Sequence, residues 1–314
     1  MRKTLNLLFI LTFSTGFASC QKEKLVYDEN SKPTISISGN GNITVVLEAG
    51  LGNWSLFYTD LVAKLNTTYK VVTINRAGYN SKVAPYNQRD VKTMAIELHD
   101  LLRQQNLGDS IVLVGHSFGG LVVREYQHLF PEKIKGLVLL DAAHPEQFER
   151  LPTKFKEALN EQIKGLEKII KIAERGWMNS KQGKKNIPTF GLPNNYLNDY
   201  YAVTTKPTYY ATLINENKNF LLSLQQVAGL PNLGALPLLV LASENSMDES
   251  TLQGVKDYPY IQHNQTWLVL QQELSTLSTN NTFISTSLAN HYIHVNQPDW
   301  VAQQIGSFIT NKIH

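Results

Sequence analysis

The chain has 314 residues, of which 42% are hydrophobic and 18% are charged, and this composition excludes a disordered or fibrous protein. Its formal net charge is +3, and the charge falls close to zero if an N-terminal segment carrying Arg2 and Lys3 is removed. No basic stripe, metal-ligand cluster, phosphate-binding loop or dinucleotide fingerprint is present in the sequence. We therefore expect no nucleic-acid partner, no metal and no cofactor.

Residues 1–20 have the pattern of an export signal. Arg2 and Lys3 precede a mostly apolar stretch from Leu5 to Phe17, which is too short for a comfortable membrane span. Small residues then lead to Cys20, the only cysteine of the chain. The segment resembles a bacterial lipoprotein signal, with Phe17 where leucine is usual, and this resemblance implies that Cys20 becomes a lipidated N-terminus. An ordinary cleaved signal peptide is the alternative. Both interpretations predict export. The lipoprotein interpretation also predicts a protein anchored to a membrane of the cell envelope.

Residues 21–32 are polar and predict a short tether. After them, apolar runs of strand length alternate with helical patterns, which predicts an α/β fold with a mostly parallel central sheet and helices on both faces. Strands are expected at Thr34–Ser38 on an edge, Ile43–Leu47, Tyr69–Ile74, Ile111–Val114, Ile134–Leu140, Leu238–Ala242 and Phe283–Ser287. Ser55 and Asp90 are expected to serve as N-caps of two of the helices.

Residues 146–235 interrupt this alternation and predict a helical insertion. Apolar residues from Phe155 to Ala173 recur at helical spacing, and Glu216–Val227 indicates a further helix. Between them lies a stretch rich in tyrosine, whose side chains are expected mainly to pack against the core, with pocket lining as the alternative. The folded core then comprises residues 33–145 and 236–314.

The strongest signal for chemistry is the sequence I-V-L-V-G-H-S-F-G-G at Ile111–Gly120. A buried strand runs into G-x-S-x-G, and a helical pattern follows to about Phe130, which is typical of a nucleophile elbow centred on Ser117. Glycines on either side of Ser117 leave room for neighbouring backbone. The N–H of Phe118 lies at the start of the helix, where it can stabilise a developing oxyanion. A purely structural turn is the alternative.

These residues resemble the α/β-hydrolase superfamily, and the resemblance extends over residues 43–313. It implies the family's fold, a lid formed by residues 146–235, and a second oxyanion donor in the loop E-A-G-L-G-N after the second strand. Gly50 matches the family's glycine, so the resemblance assigns that donor to the N–H of Leu51. Glu48 and Ala49 stand where the family usually has histidine. Arg76, in a loop resembling D-R-x-G-x-G-S, is expected to brace the loop, with a direct role in substrate binding as the alternative.

The acid of the predicted triad has two possible positions. Asp141 ends the strand Ile134–Leu140 in L-D-A-A-H-P, which is similar to the L-D-P-A-x-P of lipases whose acid follows this strand. Many other members of the superfamily place the acid after the next strand, where Glu244 and Asp248 are the candidates. We favour Asp141 because its position is fixed directly by the strand it ends.

The histidine is predicted from its spacing to a proline. The family's pattern is G-H followed by six residues, a proline and a helix, and His291 precedes Pro298 by that spacing with Asn290 in place of the glycine. His294 does not fit the spacing and is expected to pack or to bind water. His144 comes much earlier in the chain than the position of the family's catalytic histidine, and it is expected to be structural.

Together these residues predict a serine hydrolase. Ser117, His291 and Asp141 would cleave a small-molecule ester or amide through an acyl-enzyme intermediate, with the N–H groups of Leu51 and Phe118 as the oxyanion hole. A serine nucleophile argues against dehalogenase and epoxide hydrolase chemistry, because those relatives use aspartate. The alternative function is a non-catalytic envelope protein that keeps the hydrolase fold for binding.

Overall fold

The computed structural model describes residues 31–79, 84–85, 88–249, 251–252 and 255–313. The predicted signal segment, Cys20 and residues 21–30 of the predicted tether lie outside these ranges. Within the described residues, no helix combines the length and the apolar character needed to cross a membrane.

The described part of the chain builds one sheet of seven strands. The strands are β1 (Thr34–Ser38), β2 (Thr44–Glu48), β3 (Lys70–Asn75), β4 (Ile111–His116), β5 (Ile134–Leu140), β6 (Leu238–Ser243) and β7 (Asn281–Thr286). Their order in the sheet is β1-β3-β2-β4-β5-β6-β7, and only β1 at the edge runs antiparallel to its neighbour. This arrangement confirms the predicted α/β fold with a mostly parallel sheet.

The described residues form twelve α-helices, some of which cover the two faces of the sheet. They are α1 (Thr59–Leu65), α2 (Val91–Arg103), α3 (Phe118–Leu129), α4 (Gln147–Arg150), α5 (Thr153–Glu174), α6 (Lys181–Lys185), α7 (Leu197–Thr204), α8 (Pro207–Lys218), α9 (Phe220–Ala228), α10 (Tyr260–Ser275), α11 (Ile293–Asn296) and α12 (Pro298–Lys312). Residues of α1 and α12 pack on one face, and residues of α2, α3 and α10 pack on the other. The central strands are continuous apolar runs because they are buried on both sides.

The two predicted N-caps differ in outcome. Asp90 caps α2, because its carboxylate accepts the N–H groups of Lys92 and Thr93. Ser55 does not cap α1 and instead begins a 3₁₀ turn that precedes it. Its own N–H is donated to the side-chain oxygen of Asn75 at 3.0 Å. An amide from the end of β3 thus satisfies the N–H at this helix entry, where the sequence suggested a local cap.

The insertion between β5 and β6 consists of helices α4 to α9. The single helix predicted over Glu216–Val227 is wrong, because α8 ends at Lys218 and α9 begins at Phe220. Asn219 separates them, and its side chain donates back to the carbonyl of Asn215 at 2.8 Å. Asparagine side chains that bond to nearby carbonyls compete with the helical ladder, which accounts for the break.

Candidate active site

Ser117 occupies a strained turn between β4 and α3. Its backbone has φ 51° and ψ −120°, a conformation that costs a non-glycine residue on the order of 1–3 kcal/mol. The turn is held by the neighbouring strand, since the N–H of Ser117 is donated to Leu140 O at 3.1 Å. A Cβ on Gly115 would lie 2.4 Å from the carbonyl oxygen of Gly119, and one on Gly119 would lie 2.4 Å from that of Glu48. Both glycines are therefore required for this turn.

Asp141 and His291 are joined by a direct hydrogen bond. His291 Nδ1 lies 2.7 Å from Asp141 Oδ2, and the aspartate is fully buried while the histidine side chain is 20% exposed. Because the carboxylate accepts, Nδ1 carries the proton and Nε2 is left for another partner. The other two acid candidates face elsewhere. Glu244 accepts the hydroxyl of Ser285 at 2.8 Å, and Asp248 accepts the N–H of Thr251 at 2.9 Å.

The carboxylate of Asp141 accepts four hydrogen bonds. On Oδ1 it accepts the N–H of Ser243 and the indole N–H of Trp267, each at 2.9 Å. On Oδ2 it accepts the hydroxyl of Ser246 at 2.5 Å, beside the bond from His291. The carbonyl of Ser246 also accepts the backbone N–H of His291 at 2.9 Å. These donors offset the loss of hydration of a fully buried carboxylate and fix its orientation.

His116 supports His291 from the side of the elbow. Its Nε2 lies 2.9 Å from the carbonyl oxygen of His291, and because a carbonyl only accepts, Nε2 is the donor. Burial lowers the pKa of His116 well below its ordinary value, so its ring is neutral. His294 packs beside it with ring centroids 4.3 Å apart, and burial lowers the pKa of His294 to about 3. The structure therefore places His294 among packed aromatic rings, as the sequence suggested.

The loop after β2 passes against the elbow. A Cβ on Gly50 would lie 3.2 Å from Ser117 Cβ, so Gly50, the residue before Leu51, packs against Ser117. Within the described ranges, the N–H groups of Leu51 and Phe118 have no acceptor, and the hydroxyl of Ser117 makes no hydrogen bond. Phe118 is the first residue of α3, so its N–H is one of those that a helix leaves free.

Aromatic side chains from the core and the insertion pack beside this site. Trp54 stacks on Tyr200 of α7 with ring centroids 5.6 Å apart, and Tyr292, next to His291, stacks on Phe190 at 4.8 Å. Tyr200 is 1% exposed and Tyr209 is 7% exposed. These tyrosines therefore pack the insertion against the core, as expected.

A surface cleft of about 450 Å³ lies next to the same aromatic cluster. It is lined by residues of the 3₁₀ turn before α1, of α1 itself, and of β3 and α7, among them Trp54, Leu56, Thr73, Asn75, Asp199 and Val203. None of Ser117, Asp141 and His291 lines it, so geometry and hydrogen bonding, not cavity size, define the candidate site.

Several residues around the triad were missed from the sequence. Ser243, the last residue of β6, and Ser246, in the loop after it, belong to the run S-E-N-S, in which the sequence suggests only a possible acid. Trp267 lies on α10, a helix the sequence did not predict. The sequence feature that could have indicated these two serines is their position at and just after the end of a buried strand, at the edge of the sheet where Ser117 also lies. No local pattern marks Trp267 as a partner of Asp141.

Comparison with known proteins identifies the family. A profile described as alpha/beta hydrolase fold matches residues 43–298. Because this match covers most of the chain, the protein belongs to the alpha/beta hydrolase fold family. Hydrolase activity in general agrees with that membership.

Curated relatives are distant or partial. An uncharacterised protein, YbdG, from Bacillus subtilis is 21% identical over 290 residues, which cover 89% of this chain and 83% of the relative. A probable transporter, efuK, from Hormonema carpetanum is 30% identical over 118 residues, but these cover 36% of this chain and only 17% of the relative. The second match thus concerns only a small part of that protein.

Solved structures show the same fold. A thermophilic esterase from Thermogutta terrifontis superposes with a TM-score of 0.61 at 18% identity, covering 90% of this chain and 94% of the esterase. The epoxide hydrolase CorEH superposes with a TM-score of 0.66 at 14% identity, covering 88% and 94%. Because these two proteins are named for different reactions, their similarity to this chain shows only the fold. The chemistry must be inferred from the residues of the site.

Proposed function

We propose that the protein is a serine hydrolase that cleaves an ester or amide bond through an acyl-enzyme intermediate. Ser117 is the nucleophile, His291 the general base and Asp141 the residue that orients the histidine. The hydrogen bond of 2.7 Å between His291 Nδ1 and Asp141 Oδ2 is the observation that carries the proposal. It fixes the imidazole tautomer whose free Nε2 can accept a proton from serine.

The steps follow from these roles. Ser117 Oγ attacks the substrate carbonyl carbon while His291 Nε2 takes the hydroxyl proton. The carbonyl oxygen becomes an oxyanion and accepts the N–H groups of Leu51 and Phe118, worth on the order of 3 kcal/mol each. The imidazolium then protonates the departing alcohol or amine, which leaves an acyl group on Ser117. Water, deprotonated by His291, attacks that ester and releases the acid.

Backbone strain at Ser117 supports the same assignment. A serine at φ 51° is costly, and it persists here because two glycines and the loop after β2 fit around it. A protein that only binds a ligand on this fold gains nothing from a strained serine. The buried and fully hydrogen-bonded Asp141 argues in the same direction, since an unused buried carboxylate would only cost stability.

Covalent labelling tests the proposal directly. A fluorophosphonate probe should modify wild-type protein once, at Ser117, and the Ser117→Ala variant should remain unlabelled with an unchanged melting curve. A panel of p-nitrophenyl esters and aminoacyl anilides would then separate ester from amide cleavage. A folded wild-type protein that neither reacts with the probe nor turns over any of these substrates would support the non-catalytic binding protein instead.

The location of the enzyme is a separate proposal. Residues 1–20 carry the lipoprotein-like pattern, so we propose that the mature protein is exported and anchored to an envelope membrane through lipidated Cys20. Cys20→Ser should abolish incorporation of radiolabelled palmitate and should release the protein from membranes or block its processing. Unchanged palmitate incorporation in that variant would contradict the proposal.

A further inference from the structure

Arg76 is a buried arginine with an unusual number of partners. It is 3% exposed and follows β3 directly. Its Nε and Nη2 donate to the two carboxylate oxygens of Glu216 at 3.0 Å each, and its Nη1 donates to Glu48 at 2.8 Å. Glu216 belongs to α8 of the insertion, and Glu48 is the last residue of β2. One guanidinium thus connects β2, β3 and the insertion.

The same guanidinium also holds the backbone of the loop after β2. Nη1 donates to the carbonyl oxygen of Ala49 at 2.7 Å, and Nη2 donates to that of Gly50 at 2.8 Å. In a trans peptide, the carbonyl of one residue and the N–H of the next point in opposite directions. Fixing the Gly50 carbonyl toward Arg76 therefore directs the N–H of Leu51 away from Arg76. Gly50 lies against Ser117, so this peptide is at the nucleophile.

A second pair of contacts holds the other end of the loop. The hydroxyl of Tyr79 accepts the N–H of Gly52 at 3.1 Å and donates to Glu216 at 2.7 Å. The hydroxyl of Tyr209, also on α8, donates to the carbonyl of Gly52 at 3.2 Å. Side chains therefore hold the polar groups on both sides of Leu51, while its own N–H has no acceptor within the described residues.

We propose that Arg76 and Glu216 are positioning residues that fix the N–H of Leu51 as an oxyanion donor, so that helix α8 of the insertion completes the oxyanion hole. This inference rests on the proposed serine hydrolase function. A preorganised donor stabilises the transition state because it need not reorient when negative charge develops on the substrate. The planar fork of arginine suits this role, since it reaches two carboxylates and two carbonyls in one fixed geometry.

Arg76→Lys is the main test, because it keeps the positive charge beside two buried carboxylates and removes the fork. A single ammonium cannot reach Glu48, Glu216 and both carbonyls together. Glu216→Gln is the second variant, and it leaves the pair of Arg76 and Glu48 intact. Glu167→Gln is the matched control, because it also alters a carboxylate contact of α8, the exposed pair with Lys218 at 2.9 Å, which makes no hydrogen bond to Arg76.

The readout is chosen to isolate the oxyanion hole. Each variant is assayed on a p-nitrophenyl ester and on the matching thionoester, whose sulfur is a poor acceptor for N–H groups. Removing one oxyanion donor costs about 10²- to 10³-fold in kcat, so we expect kcat for the ester to fall about 100-fold in Arg76→Lys and about 10-fold in Glu216→Gln. KM should stay within about twofold, and the ester-to-thionoester rate ratio should fall in both variants. Glu167→Gln should match the wild type.

The outcomes separate this inference from the function on which it rests. Variants that fold and keep the wild-type ester-to-thionoester ratio overturn the positioning role, whether or not kcat falls, because a general loss of structure lowers both rates. If Arg76→Lys does not fold, the ratio in Glu216→Gln decides by the same criterion. A wild-type protein without labelling at Ser117 overturns both proposals, whereas a labelled and active wild type with unchanged ratios overturns only this one.

Discussion

Replacing Asp141 by asparagine should stop catalysis without removing the network around it. The side chain keeps its shape, and the remaining oxygen can still accept the N–H of Ser243 and the indole of Trp267. The new amide nitrogen then faces His291 Nδ1, which must become an acceptor. The imidazole proton moves to Nε2, and His291 can no longer take the proton of Ser117.

The expected loss is large. A histidine held in the wrong tautomer lowers kcat by about 10⁴-fold, which corresponds to about 5.5 kcal/mol of transition-state stabilisation. The effect on folding is smaller, since the bonds to Oδ1 are kept and, at Oδ2, His291 and the hydroxyl of Ser246 can each accept from the new amide nitrogen. We expect the free energy of unfolding to fall by on the order of 1–3 kcal/mol. A large kinetic effect with a moderate stability effect is the signature of this role.

The assay is steady-state hydrolysis of a p-nitrophenyl ester, with urea unfolding of each variant as the control for folding. Glu244→Gln and Asp248→Asn are the matched controls, because each also replaces a carboxylate by an amide after a strand of the same sheet edge. Their kcat should stay within about threefold of wild type, since the carboxylate of Glu244 accepts from Ser285 and that of Asp248 accepts from Thr251. Near-normal kcat in Asp141→Asn, together with collapse in either control, would refute the assignment of the acid.

Three further predictions concern the serine and the histidines. Ser117→Gly should be more stable than Ser117→Ala by on the order of 1 kcal/mol in urea unfolding, because glycine adopts the positive φ without strain; equal stability would contradict the strain at the elbow. His291→Ala should abolish turnover of the ester while His294→Gln retains most of it, and the reverse result would overturn the choice of base. His294 is neutral when folded, with a pKa of about 3 against an ordinary 6.5, so its contribution to stability is complete above pH 6.5 and is lost as the pH falls toward 3. Between pH 7 and pH 5 the wild type should lose on the order of 2 kcal/mol through this residue, as measured by urea unfolding, and His294→Gln should be spared that loss. An identical pH dependence in the two proteins would show that His294 does not titrate as its burial requires.

The strands and the elbow could be predicted because their signals are local. Buried parallel strands are continuous apolar runs, and β5 was predicted to the residue at Ile134–Leu140. The elbow requires glycine at positions 115 and 119, where a Cβ would lie 2.4 Å from a neighbouring carbonyl oxygen, so the motif reflects the packing around Ser117. Where a backbone geometry permits only one residue type, that residue in the sequence indicates the geometry.

Helix α10 could not be predicted because its buried face is partly polar. Trp267 donates to Asp141, and Gln271 accepts the N–H of Ala142 at 3.0 Å and donates to its carbonyl at 2.7 Å. These side chains satisfy polar groups at the end of β5, so they are buried although they interrupt the apolar period. Hydrophobic periodicity does not predict a helix whose buried face contains polar side chains that form hydrogen bonds.

Arg76 shows the same limit in another form. The sequence suggested that it braces its own loop, but its principal partner Glu216 lies 140 residues further along the chain. Such a pair leaves no local pattern, because each residue alone looks like a charged side chain in a loop or on a helix. The side chains of Arg76 and Glu216 are 3% and 0% exposed, and they must pair because both are buried. Burial depends on the tertiary fold, so the sequence does not reveal this pair.

The orientation of Asp141, the proposed acid, depends on donors from β6 and from the loop after it. Asp141 and Glu244 both follow strands that end at the same edge of the sheet, so strand geometry alone does not separate them. Ser243, the last residue of β6, donates its backbone N–H to Asp141, and Ser246 in the following loop donates its hydroxyl. Glu244 between them stays exposed and accepts the hydroxyl of Ser285. Ser246 Oγ also lies 3.3 Å from His291 Nδ1, so a carboxylate at that position would meet the charge of Asp141 at close range and raise the pKa of one of the two. A hydroxyl there avoids this repulsion and supplies a donor. The hydroxyl of Ser246 therefore suits the proposed acid at Asp141, and this pair links two segments about a hundred residues apart.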